Sequence, residues 1–178
     1  MAYVIDAKIT ILCAMLIITM TYAIGLIKKR KRGVPFRKSD MIRPALVSYL
    51  FIMISLTLFP ILVPPMHTEE FQYNLDITQL FQVFADRSSF ISVAGNIMMF
   101  IPIGILGNLS GLRCYQNIKN AVISSFSLSV IIELLQGLET YWGFADFSSV
   151  MDINDVITNT IGGIVGFILI TTYKEKDK

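Results

Sequence analysis

Charge is scarce in this chain: only 16% of its 178 residues are Asp, Glu, Lys or Arg, while 54% are hydrophobic and the mean hydropathy is +0.64. An ordinary soluble domain of this length is excluded, because it could not hide so much apolar surface behind so few charges. There is one histidine, His67, set beside Glu69 and Glu70. With no second histidine there is no histidine pair for a metal and little support for a histidine base. The two cysteines, Cys13 and Cys114, fall on opposite sides of any topology the apolar runs allow, which excludes a disulfide and a thiolate metal site. No internal repeat is evident, which argues against a repeat-built transporter. No dedicated nucleophile motif stands out among the serines.

What the chain has is apolar runs of spanning length. They lie at about 9–27, 44–63, 93–109, 121–138 and 153–172, and a bilayer core needs about 20 helical residues. The expected fold is therefore an all-α integral membrane protein, a bundle of about five transmembrane helices. The third run is the shortest and carries Gly95, Pro102, Gly104 and Gly107, so a kink or an extension into its flanks is expected there. The first run has features of a secretory signal, with Lys8 before it and small residues at Ala23 and Gly25. It is long enough to span, however, and Lys28–Arg32 follows as a stop-transfer pattern, so it reads as a retained helix.

Orientation follows from the basic residues. The linker 28–43 holds Lys28, Lys29, Arg30, Lys31, Arg32, Arg37, Lys38 and Arg43, eight of the fifteen Lys and Arg. Placing it in the cytoplasm also puts Arg113, Lys119, Lys174, Lys176 and Lys178 inside, with the N-terminus outside and the C-terminus inside. The linker admits an anionic-lipid tether or a nucleic-acid patch as alternatives, but a basic cluster beside a span is read first as the topology signal, and no nucleic-acid partner is expected. The organisation is thus two N-terminal helices over 1–63, an outer segment over 64–92, and a three-helix part over 93–178. The outer segment carries Phe71, Tyr73, Phe81, Phe84 and Phe90 and is expected to lie partly helical at headgroup level.

Polar residues inside the apolar runs are the candidate site. Asp152, Asp155 and Asn159 are three and four residues apart and share a helical face at the outer start of the fifth run. Glu133 and Gln136, also three apart, lie in the outer third of the fourth, and Asn96 lies near the outer start of the third. An ionised Asp at a helix centre costs about 2.5–3.5 kcal/mol on insertion scales, so such groups need partners, water or a function. Each has a structural reading as well. Asp152 and Asp155 suit a helix N-terminus, with Ser148 and Ser149 as alternative caps; Asn159 and Gln136 suit interhelical hydrogen bonds; Thr160, Gly163 and Gly166 suit a small-residue packing face. Oxygen ligands of this kind can also take Mg²⁺ or Ca²⁺, and no other cofactor is indicated.

Three ordered stretches, Asn96-Ile-Met-Met-Phe-Ile-Pro102-Ile-Gly104, Glu133-Leu-Leu-Gln136 and Asp152-Ile-Asn-Asp155-Val-Ile-Thr-Asn159-Thr-Ile-Gly-Gly163, with Asn74-Leu75 before them, resemble the VanZ-like membrane protein family over about residues 74–170. In many members an Arg stands three residues before the first Asp of the last stretch, where this chain has Ser149. The resemblance implies a bacterial plasma-membrane protein. For the member that gives the family its name, it implies reduced susceptibility to the glycopeptide teicoplanin without remodelled peptidoglycan precursors. Three activities fit: a resistance or envelope protein that binds a lipid-linked ligand (the acylated glycopeptide, a cell-wall lipid intermediate or a phospholipid), an intramembrane enzyme using Glu133 and Asp155 as acid and base, and a small transporter or structural membrane partner.

Overall fold

The computed structural model describes residues 3–35, 39–63, 65, 70–82, 86–145 and 150–176. His67, Glu69, Phe84, Ser148 and Ser149 lie outside the described residues, as do Arg37 and Lys38 of the basic linker. Five helices carry the fold: α1 Ala7–Lys31, α2 Ser39–Leu58, α3 Arg87–Leu109, α4 Ile118–Tyr141 and α5 Ile153–Lys176. Each is long and apolar enough to cross a membrane, so the chain is a multi-pass, all-α membrane protein. The only strands among the described residues are short: β1 Tyr3–Ile5, β2 Ile61–Val63, β3 Tyr73–Asn74 and β4 Met151–Asp152.

Local chemistry sets the helix limits. Asp6 caps α1 through Lys8 N (2.8 Å), and Lys28–Lys31 fill its last turn, where cations suit the negative end of the helix dipole. The apolar run that begins at 93 becomes a helix that begins at Arg87, because Asp86 accepts hydrogen bonds from Ser89 N at 3.1 Å, from Ser89 Oγ and from Ser88 Oγ. Pro102 sits inside α3 without ending it, and Pro44 sits inside α2. The preceding segment is partly helical, with a 3-10 helix at Ile77–Gln82. Its aromatics divide: Tyr73 and Phe81 are exposed, whereas the Phe71 ring lies over Gly137 of α4, filling the space a Cβ would need.

α3 and α5 form the most extensive helix pair, and small residues make that approach possible. A Cβ on Gly162 would meet Ile97 O at 2.3 Å, and one on Gly166 would meet Ile101 O at 2.0 Å. Between apolar helices in lipid the hydrophobic effect supplies no attraction, so close packing and interhelical hydrogen bonds hold them together. α4 lies along α5, with Ser125 packed on Gly163. The core is built from Met53, Phe100, Ile103, Tyr115, Ala121, Ile132 and Phe167, contributed by α2, α3, α4, α5 and the α3–α4 turn. Tyr49 OH donates to Met99 O at 2.7 Å and fastens α2 to α3. α1 packs mainly on α2 and buries only Ala14 among its residues.

The two ends of the bundle differ. At one end Arg43 Nε donates to Ser110 O (3.4 Å) and Lys174 Nζ to Asn108 Oδ1 (2.7 Å), linking α2, α3 and α5 among the basic residues. At the other, β1 pairs antiparallel with β2, and Leu62 N donates to Phe144 O at 2.8 Å. There β3 also pairs in parallel with β4, with Asn74 opposite Asp152, which draws the 70s segment onto the start of α5.

Candidate functional site

The start of α5 collects three carboxyl groups, from α4, β4 and α5 itself. Asp152 immediately precedes the helix and caps it, its Oδ1 accepting from Asn154 N at 2.8 Å and from Asn154 Nδ2 at 2.7 Å. Glu133, 2% exposed, reaches across from α4 and accepts from Asp152 N at 3.0 Å. Asp155 stands in the first turn of α5 and accepts from Asn96 Nδ2 of α3 at 2.6 Å. The unpaired N–H groups and positive dipole end of a helix favour this gathering of acids. Asn74 Nδ2 donates to the other oxygen of Asp152 at 3.0 Å.

Four of the six sequence-predicted residues, Asn96, Glu133, Asp152 and Asp155, therefore meet at one place. The other two do not. Gln136 turns to α2 and donates to Thr57 O at 3.1 Å. Asn159 lies a turn further into the bundle, where its Nδ2 donates to Ser129 Oγ at 2.9 Å and its Oδ1 is buried without a partner among the described residues. Capping accounts for Asp152, and the interhelical reading accounts for Gln136 and Asn159. Glu133, a carboxyl carried inside the α4 span, accepts from Asp152 N at the start of α5, a bond that an uncharged acceptor could also make.

Three groups enter that the sequence reading did not single out. Asn154 is 4% exposed and bridges Asp152 to Asp76 O (2.8 Å), while its Oδ1 is buried without a partner among the described residues. Asn74 joins through the β3–β4 pairing; it stood in the quoted match, and that was its only signal. The serines of the first turns of α3 enter because the helix starts early. Ser88, Ser89 and Ser92, with Leu80 and Val93, face Asp152, Asn154 and Asp155 across a cavity of about 290 Å³. Outside the spans, hydrogen bonds from Ser88 and Ser89 hold the Asp86 carboxyl down at about 2, and hydrogen bonds from Thr78 lower Asp76.

Among the described residues, no Lys or Arg is paired with Glu133, Asp152 or Asp155. Nor is any group of three or more His, Cys, Asp or Glu side chains among them placed to hold a metal ion. The arrangement is thus an acceptor-rich pocket: carboxyl oxygens and serine hydroxyls that suit amine, amide N–H and hydroxyl donors, and that repel an unneutralised phosphate.

No curated protein and no solved structure matches the chain. A family model does: VanZ/LLP1 matches residues 46–174, a stretch that runs from within α2 to the last turn of α5 and takes in every residue of the site. The chain belongs to the VanZ/LLP1 family.

Proposed function

We propose that this protein works in the bacterial plasma membrane with its acidic end outward, where it binds a lipid-linked envelope ligand and so lowers susceptibility to teicoplanin. One observation carries the reading: Glu133, Asp152 and Asp155 converge on one helix start beside a serine-lined cavity of about 290 Å³, with no cation paired to them among the described residues. Maintaining buried acids inside an apolar bundle is costly, and helix capping needs only one of them.

The chemistry favours a ligand that presents hydrogen-bond donors to the acids and an acyl chain to the membrane. An acylated glycopeptide and a lipid-linked cell-wall intermediate both have this form, with amide and hydroxyl donors on a polar body. Basic residues gathered at the opposite end of the bundle support the outward orientation. The test is capture. Wild type and Glu133→Gln are purified from membranes of a Gram-positive host exposed to teicoplanin, and the bound lipid-linked molecules are identified by mass spectrometry. The reading expects a glycopeptide or cell-wall intermediate on wild type and its loss from the variant; equal retention on both would refute it.

A further inference from the structure

An open cleft lies at the other end of the molecule, between the last turns of α1 and the first turn of α2. It is a cavity of about 610 Å³. Four cations line it, Lys28, Lys29, Arg32 and Arg43, against one acid, Asp40. Lys29 and Asp40 are ion-paired, which joins α1 to α2 across the cavity, and Arg43 Nε donates to Ser110 O at the end of α3. Lys28 and Arg32 carry exposed side chains on its rim. The net lining charge is positive.

The rest of the lining is membrane-like. Leu26, Val34 and Tyr22 border the cavity, and Gly25 leaves open space on the surface of α1, with nothing within 4 Å of where its Cβ would stand. Ile24 and Ile27 beside it are exposed apolar side chains on a helix that packs mainly on α2. A second cavity of about 470 Å³ shares Leu26, Lys29 and Val34 and adds Ile27 and Arg30. Cations thus ring the mouth of a slot whose walls are hydrocarbon, at the depth where a spanning helix meets headgroups.

We infer that this basic cavity between α1 and α2 is a binding site for an anionic glycerophospholipid, its phosphate held by Lys28, Arg32 and Arg43 and an acyl chain lying along α1 at Gly25 and Leu26. Arginine forks suit phosphate oxygens. A free phosphate would satisfy the cations and leave the apolar walls without a partner, whereas a phospholipid satisfies both. The Lys29–Asp40 pair closes one side and limits the charge available to a single headgroup. The site is separate from the acidic cluster and does not depend on the function proposed for it.

Native mass spectrometry of the full-length protein in detergent, with phosphatidylglycerol and phosphatidylcholine supplied in equal amounts, tests this. Wild type is expected to retain one phosphatidylglycerol in preference to phosphatidylcholine and to keep it in the presence of inorganic phosphate. Arg32→Gln, whose exposed side chain bonds to no other helix among the described residues, should weaken retention about fivefold, the factor for one cation near an anionic headgroup, and Arg32→Gln/Arg43→Gln should weaken it further. Lys119→Gln, a basic residue outside the cavity, should leave it unchanged. The inference is overturned if wild type shows no preference for the anionic lipid, if Arg32→Gln retains it like wild type, if Lys119→Gln lowers it as much, or if inorganic phosphate displaces it.

Discussion

At Glu133 a functional carboxyl can be told from a structural one, because two substitutions remove the carboxyl with different structural costs. Its Oε2 accepts from Asp152 N at 3.0 Å inside a site where the residue is 2% exposed. Glu133→Ala strips that acceptor from a buried N–H, which costs about 1–3 kcal/mol, and opens a cavity; together the loss should fall in the range of about 2–5 kcal/mol seen for large-to-small changes. Glu133→Gln keeps the volume and an oxygen that can still accept from Asp152 N. It also relieves repulsion among three acids, so stability should stay within about 1 kcal/mol of wild type. Equilibrium unfolding in mixed detergent micelles reads the difference directly. If the carboxylate itself holds the ligand, both variants lose ligand retention while only Ala loses stability. A Gln variant as unstable as Ala would make Glu133 a fold element and refute this reasoning.

Other outcomes follow from the same geometry. A double-mutant cycle of Asn96→Ala and Asp155→Ala should give a coupling of about 1–2 kcal/mol, toward the upper end for interhelical polar pairs in membranes, since the bond is short and involves a carboxyl; a coupling indistinguishable from zero would mean the contact does not form in the membrane. Gly166→Ala would drive a Cβ to 2.0 Å from Ile101 O and should destabilise by about 1–3 kcal/mol. Gly95→Ala, with nothing within 4 Å, should be neutral or stabilise by up to about 1 kcal/mol, and unfolding curves that fail to rank the two this way would contradict the α3–α5 packing. The Asp86 cap has a pH signature. Its pKa is depressed, so its contribution to folding is complete above the ordinary value near 3.8 and is lost as pH falls through about 2. Carboxyl NMR titration should show a midpoint near 2 in wild type and a rise toward the ordinary value in Ser88→Ala/Ser89→Ala.

The five spans were readable because their length and apolarity are set by the bilayer, whatever their neighbours are. The site was readable only in part. Asp152, Asp155, Glu133 and Asn96 met as their depth along the helices implied, but depth and spacing do not say which neighbour fills each sector around a helix. Gln136, three residues from Glu133, is rotated about 60° from it; α2 occupies that sector, so Gln136 bonds Thr57 instead. Asn159 follows Asp155 by a full turn, about 6 Å further along the axis, and reaches Ser129. Asn74 and Asn154 depend on a two-residue strand pairing and a contact with Asp76 O, both between segments far apart in sequence, which no local periodicity encodes. The start of α3 was legible in principle: Asp86-Arg-Ser-Ser is a capping sequence, but hydropathy reports where a helix turns apolar, which comes later than where it begins.

The most direct test of the central claim, that the acidic cluster is the working site of a glycopeptide-tolerance protein, is susceptibility. Teicoplanin and vancomycin are compared in a sensitive Gram-positive host carrying wild type, Glu133→Gln or Asp155→Asn at matched membrane levels. The account predicts that wild type selectively raises teicoplanin tolerance and that both variants lose the effect while remaining folded in the membrane. Unchanged susceptibility with wild type at confirmed expression, or full tolerance in both variants, would contradict it.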